Sequence, residues 1–270
     1  MNPPNGPAVA EARLAWDEAR GLVPGAPAPD VLLAADSWLV EDGRVRDVEG
    51  HRARFARACR DSGRDASDVE RFWRDALAAL PRTGAWFPRV ELHGDGVLAL
   101  WPRRAPELLG PVRVLPWPDA DPRTAPHRKG PDLALLARVK AEAGEAGADD
   151  ALLTTASGEA AESTTASLLW WEDDELCLPE PGPHLLPGIT SALLVRQARE
   201  SGVVVRHGRA VPEELHDRET WLVNALHGIR PVTAWVGAGG GPAAPAPRAA
   251  RWQRLLRARA RPLPDPRPEP

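Results

Sequence analysis

The sequence has no tyrosine, one methionine, two cysteines and only two lysines, Lys129 and Lys140. Asparagine is confined to Asn2, Asn5 and Asn224, and isoleucine to Ile189 and Ile229. Apart from cysteine, these scarce types have codons with only A or T in their first two positions. A G/C-rich coding sequence therefore explains their rarity, and each one that survives inside the chain is informative. Cys59 and Cys177 lie far apart and form no CxxC pair, which excludes a disulfide scaffold and a zinc ribbon; free thiols fit a reducing, cytoplasmic compartment. The N-terminus lacks a basic segment followed by an apolar run, so no signal peptide is expected. No window approaches ~18 uninterrupted apolar residues, so no membrane span is expected. A net charge of −4 gives no general attraction for nucleic acid. Only residues 248–261 are locally basic, read as an arginine-rich helix before a proline tail. The seven histidines show no HExxH or similar spacing, so no metal site is expected. No nucleophile elbow is present, and the glycines of 237–241 precede a proline linker rather than a helix, which excludes a dinucleotide fingerprint.

What remains is a 270-residue chain, 43% hydrophobic and 27% charged, enough for one large domain or two modest ones. Residues 1–29, rich in Pro, Gly and Ala, read as a loose arm with a short helix near 10–21. Residues 30–117 read as an α+β domain. Its strand–turn–strand at 31–48 turns at Glu41, Asp42 and Gly43. Helices follow at 51–61 and 65–80, the second with Ser67 as N-cap and Glu70 three residues on. Strands near 86–93, 97–102 and 112–116 complete it. The proline- and charge-dense 118–131 is the connecting segment. A second α+β domain spans 132–240: a helix at 133–146, strands at 150–155, 167–171 and 176–178, a helix at 190–201, and strands near 203–207, 221–224 and 232–236. Residues 241–270 form a Pro/Arg-rich tail with a short helix. The irregular alternation predicts an α+β fold without a clean βαβ series.

Four pieces carry chemistry. Lys129 is a lysine in a chain that uses arginine for surface charge; only an amine can become a nucleophile or form a Schiff base, since guanidinium keeps its proton. Glu162 precedes a run of hydroxyl residues (ESTTAS) between two strands. In LLPGIT, Gly188 permits close backbone approach, and the amides of Ile189 and Thr190 open a helix, an arrangement suited to phosphate. His51 and Arg54 share a helix face, and an arginine can clamp phosphate.

In chain order and spacing these pieces resemble the class IV aminotransferases, the fold-type IV pyridoxal-phosphate enzymes, over about residues 31–236. The segment 224–232 (NALHGIRPV) is most similar to the 4-amino-4-deoxychorismate lyase branch. The resemblance implies a two-domain α+β fold with a smaller N-terminal domain, pyridoxal phosphate (PLP) at the domain interface, and a cytoplasmic homodimer acting on a small amino substrate. It implies that Lys129 holds PLP and moves the proton, that Glu162 pairs with the pyridine nitrogen, and that Arg54, Gly188, Ile189 and Thr190 hold the phosphate. Asn224 and Ala225 would lie beside the cofactor. Ser37, Trp38 and His127 are candidate substrate contacts. The implied activity is release of 4-aminobenzoate and pyruvate from aminodeoxychorismate. The alternatives are a branched-chain or D-amino acid transaminase, or a catalytically silent member acting as a binding partner.

Overall fold

The computed structural model describes residues 12–25 and 31–264; residues 1–11 and 26–29 of the expected arm and 265–270 of the proline tail lie outside the described residues. The chain divides into two units, the second the larger. Unit 1 holds Met1–Glu107, Arg128–Pro131 and Ala260–Pro270; unit 2 holds Leu108–His127 and Asp132–Arg259. Of the expected connecting segment, the piece that carries Lys129 thus belongs to unit 1 and the rest to unit 2. Of the expected tail, residues 260–264 also belong to unit 1.

Unit 1 opens with an antiparallel hairpin, β1 (Leu14–Asp17) and β2 (Gly21–Pro24), where composition predicts a loose arm and a short helix. Trp16 decides the outcome: its ring is buried, and its indole N–H donates to Asp75 at 2.7 Å. β3 (Leu32–Ser37) leads to a second hairpin, β4 (Val40–Glu41) and β5 (Arg44–Val45). Asp42 and Gly43 between them have φ of 46° and 70°, the two positive values a type I′ turn requires. Two helices follow, α1 (Val48–Asp61) and α2 (Ala66–Ala79). The cap of α2 is Asp65 rather than Ser67; its carboxylate accepts the N–H groups of Ser67 and Asp68. β6 (Ala85–Trp86), β7 (Arg89–His93) and β8 (Leu98–Trp101) complete the unit's first half.

The main sheet of unit 1 is antiparallel, in the order β2-β1-β8-β7-β3. Strand periodicity puts Ala34, Asp36, Val90, Leu92, Leu98 and Leu100 on one face, where Phe55, Phe72 and Trp73 of the helices pack. Ala35, Ser37, Arg89, Glu91 and Trp101 line the other face. Trp38 is a core residue, with its ring centroid 4.9 Å from that of Trp73 and 5.8 Å from that of His51.

Unit 2 is built from β9 (Val112–Ala120), α3 (Leu133–Glu145), β10 (Asp150–Thr154), β11 (Ala160–Ser163), β12 (Ser167–Glu172), β13 (Glu175–Pro179) and α4 (Ile189–Glu200). It continues with β14 (Val205–Gly208), a 3-10 turn at Pro212–Leu215, β15 (Thr220–Asn224), β16 (Gly228–Trp235), β17 (Gly241–Pro242) and α5 (Ala249–Arg257). β18 (Arg261–Pro262) pairs with β5 in unit 1. The sheet of unit 2 runs β11-β10-β9-β16-β15-β12, and pairing of β11 with β12 closes these six strands into a ring. β11 is a strand the sequence reading lacks. Ala, Ala, Glu and Ser carry no β-branched signal, and the segment is extended because it bonds to β10 on one side and β12 on the other. β10 lies parallel to β9 and β14 parallel to β13, each after a helix. Two βαβ crossovers are therefore present in an otherwise mixed sheet. Cys59 and Cys177 are free and buried, and burial pushes their thiols up to about 12 and about 11.

Candidate active site

In unit 1 the backbone of Lys129 is fixed. Its carbonyl accepts the N–H of Ala35 at 2.8 Å, so the segment adds to the free edge of β3. The next residue must be glycine: at φ 138°, a Cβ on Gly130 would stand 2.8 Å from the Cα of Ala34. Beyond it, the carboxylate of Asp132 accepts the N–H of Thr124 at 3.1 Å and that of Ala125 at 2.9 Å. This closes the loop that carries Lys129.

The HxxR pair on α1 meets a partner the sequence reading missed. Arg54 donates through Nε and Nη2 to the two oxygens of Asp36, both at 2.8 Å. Nδ1 of His51 lies 2.7 Å from Oδ1 of the same carboxylate. An ionised carboxylate only accepts, so the imidazole proton sits on Nδ1. Asp36 is fully buried. Burial alone would favour its neutral form, but the charges and bonds of Arg54 and His51 outweigh that and hold the carboxyl well below the usual range. The only advance signal for Asp36 was its place on an apolar strand.

On the opposite sheet face, the hydroxyl of Ser37 accepts from Arg103 at 3.3 Å. The guanidinium carbons of Arg13, Arg89 and Arg103 lie 4.5, 5.2 and 5.0 Å from the ring centroid of Trp101. Glu91, buried, is the carboxylate facing them, and His93 contacts it at 3.1 Å. Burial and the neighbouring Arg89 charge lower Arg103 to about 10.

In unit 2, Glu162 lies buried near the end of β11. Oε1 accepts from Arg123 and, at 3.0 Å, from the N–H of Leu186. Neither bond uses Oε2. Arg123 is itself clamped: Asp121 takes its Nε at 2.9 Å and its Nη2 at 2.6 Å, and the carbonyl of His184 takes Nη2 at 3.0 Å. Burial raises the Glu162 carboxyl, and the Arg123 charge opposes the rise. Arg123 lies in the proline- and charge-dense segment, where no motif marks it.

Gly188 caps α4 without any side-chain bond to the first-turn amides. It is glycine because Ser167 crowds it; a Cβ there would lie 2.2 Å from the Ser167 hydroxyl. Ile189 and Thr190 begin the helix, and Thr190 is buried. The carbonyl oxygen of the Asn224 side chain accepts the N–H groups of Leu226 and His227, while its Nδ2 donates to the carbonyl of Thr165 at 3.3 Å. Ala225 lies in the same turn. Within unit 2, then, Glu162, Gly188 and Asn224 are gathered around residues 162–167. His127 is exposed. Among the described residues no group of three or more His, Cys, Asp or Glu is arranged for a metal, and no helix is long and apolar enough to cross a membrane.

The family model for class IV amino-transferases matches residues 33–235. No curated protein matches. Solved structures share the fold. A hypothetical aminotransferase from Mycobacterium tuberculosis is 21% identical, with a TM-score of 0.77 over 92% of this chain and 98% of that one; it is also known in a PLP-bound form. A Legionella pneumophila chain provisionally assigned as 4-amino-4-deoxychorismate lyase is 20% identical, with a TM-score of 0.71 over 84% of this chain and 90% of its own. The branched-chain amino acid aminotransferase of Escherichia coli is 17% identical, with a TM-score of 0.73 over 92% and 94%.

Proposed function

Because the chain belongs to the class IV aminotransferase family, whose cofactor is pyridoxal phosphate, we propose that it is a PLP enzyme acting through Lys129 on an anionic amino substrate. Its reaction is the release of 4-aminobenzoate and pyruvate from aminodeoxychorismate. The observation that carries the substrate class is on unit 1. Lys129 is bonded to β3 at Ala35, and the face of that sheet bearing Ala35 and Ser37 gathers three arginines against one carboxylate. Such an excess of positive charge suits a substrate with two carboxylates. The NALHGIRPV segment supports the lyase branch.

The residues present fit the cofactor. The first amides of α4, uncapped by any side chain, and the Thr190 hydroxyl would take its phosphate. In unit 1, Asp36 keeps Arg54 in one orientation, and the resemblance would make Arg54 a phosphate ligand. Oε2 of Glu162 would accept the ring N–H. When bound, PLP supplies an electron sink for a carbanion beside the substrate's amine. Lys129 would hold the cofactor's carbonyl carbon and, as a free amine, take the substrate's α proton at Nζ and return it. The adjacent Arg128 lacks that capacity, because guanidinium does not give up its proton.

The test is to incubate the PLP-loaded protein with aminodeoxychorismate and assay both products. Equal amounts of 4-aminobenzoate and pyruvate are expected. Conversion of an amino donor to its keto acid, with no 4-aminobenzoate, would make the protein a transaminase. No turnover of either kind would leave a silent binding partner.

A further inference from the structure

Outside the residues already given roles, unit 2 holds a buried carboxylate with an unusual set of partners. Asp150, the first residue of β10, is 1% exposed. It accepts from three consecutive hydroxyls: Ser163 at 3.1 Å, Thr165 at 2.5 Å, and Thr164. The N–H of Ala151 adds a fourth bond at 2.9 Å. Arg230, also buried, feels the charges of Asp149 and Asp150 and donates through Nε and Nη2 to the carbonyls of Gly110 and Pro111. The hydroxyl donors are the turn that joins β11 to β12. The same turn presents the Thr165 carbonyl to Asn224, follows directly on Glu162, and ends at Ser167, against which Gly188 packs.

We infer that Asp150 is a positioning residue: by holding residues 163–165 it sets the orientation of Glu162 and of the Asn224 turn toward the cofactor. The inference rests on the proposed PLP chemistry. A negative charge is what the site requires. One carboxylate has enough lone pairs for all four donors, whereas an amide keeps a single acceptor oxygen and points N–H groups at hydroxyls that would have to turn away. The three hydroxyls then lose a common anchor, and Glu162 loses its fixed direction. The carboxylate touches neither cofactor nor substrate; it acts through the turn.

The experiment compares full-length wild type, Asp150→Asn and Thr165→Val, with Val139→Ala on α3 as a control of similar thermal stability loss. Thr165→Val removes one of the hydroxyl donors and keeps the carboxylate, so it reports even if Asp150→Asn does not fold. Two quantities are read: amide hydrogen exchange at 163–166 and 224–227 without cofactor, and the dissociation constant and absorption band of added PLP. Faster exchange confined to these two turns is expected, together with PLP binding weakened about tenfold or more and a shifted band; Val139→Ala should leave both turns and the band unchanged. Unchanged exchange at 163–166, or faster exchange with wild-type affinity and band, overturns the inference. Failure of wild type itself to bind PLP is a different result: it removes the proposed function, and the inference with it.

Discussion

Replacing Asp36 by alanine is expected to destabilise unit 1 by about 3–5 kcal/mol, the range for stripping one partner from a buried ion pair. The Arg54 side chain is 10% exposed and that of His51 is 2% exposed. Alanine would leave a guanidinium facing a small cavity with two of its donors unmatched. Urea unfolding followed by tryptophan fluorescence reads the change, since Trp38 packs against His51 and Trp73. The dependence on pH has a definite sign. The folded carboxyl lies below its unfolded value, so its contribution is complete above about pH 4 and is lost as the pH falls further. The advantage of wild type over Asp36→Asn should therefore shrink in acid. A midpoint for Asp36→Ala equal to that of wild type would show that the HxxR pair needs no counter-charge.

The second large effect concerns Glu162. Glu162→Gln is expected to cost about 10²–10³-fold in turnover while PLP remains bound, the scale seen when one preorganised electrostatic partner is removed. Glutamine keeps the shape and the bond from Leu186 but cannot hold a proton on a ring nitrogen. Arg123→Ala should act on the same group by another route. Burial already raises the Glu162 carboxyl, and Arg123 restrains the rise. Without that cation the carboxyl keeps its proton to higher pH, and the acid limb of the kcat/KM profile moves upward. An unchanged profile in Arg123→Ala would mean that Glu162 is kept ionised by something else.

Much of this was legible in the sequence because the decisive signals were local. Glu41, Asp42 and Gly43 announce a tight turn, and the scarce Lys129 and Ile189 stand out against a biased composition. Other features depend on partners distant in sequence. The β1–β2 hairpin lies in a segment whose composition reads as loose, and it folds because Trp16 reaches Asp75. β11 has no strand-like composition and exists because it closes a ring between β10 and β12. Trp38 sits beside Ser37, yet alternation along the chain sends it into the core. Asp36, Arg123 and Asp150 look like ordinary charges in isolation. Their roles emerge only when Arg54, Glu162 and the hydroxyls of 163–165 are brought against them.

Whether Lys129 makes this chain a PLP enzyme is decided by titrating purified wild type and Lys129→Ala with PLP and following the visible absorption. Wild type is expected to take up one equivalent per chain and to develop a band distinct from that of free PLP, one that borohydride reduction fixes covalently to residue 129. The alanine variant should show no such band and no borohydride-fixed adduct at that position. Identical spectra for the two proteins, or no uptake by wild type, would show that Lys129 does not hold the cofactor.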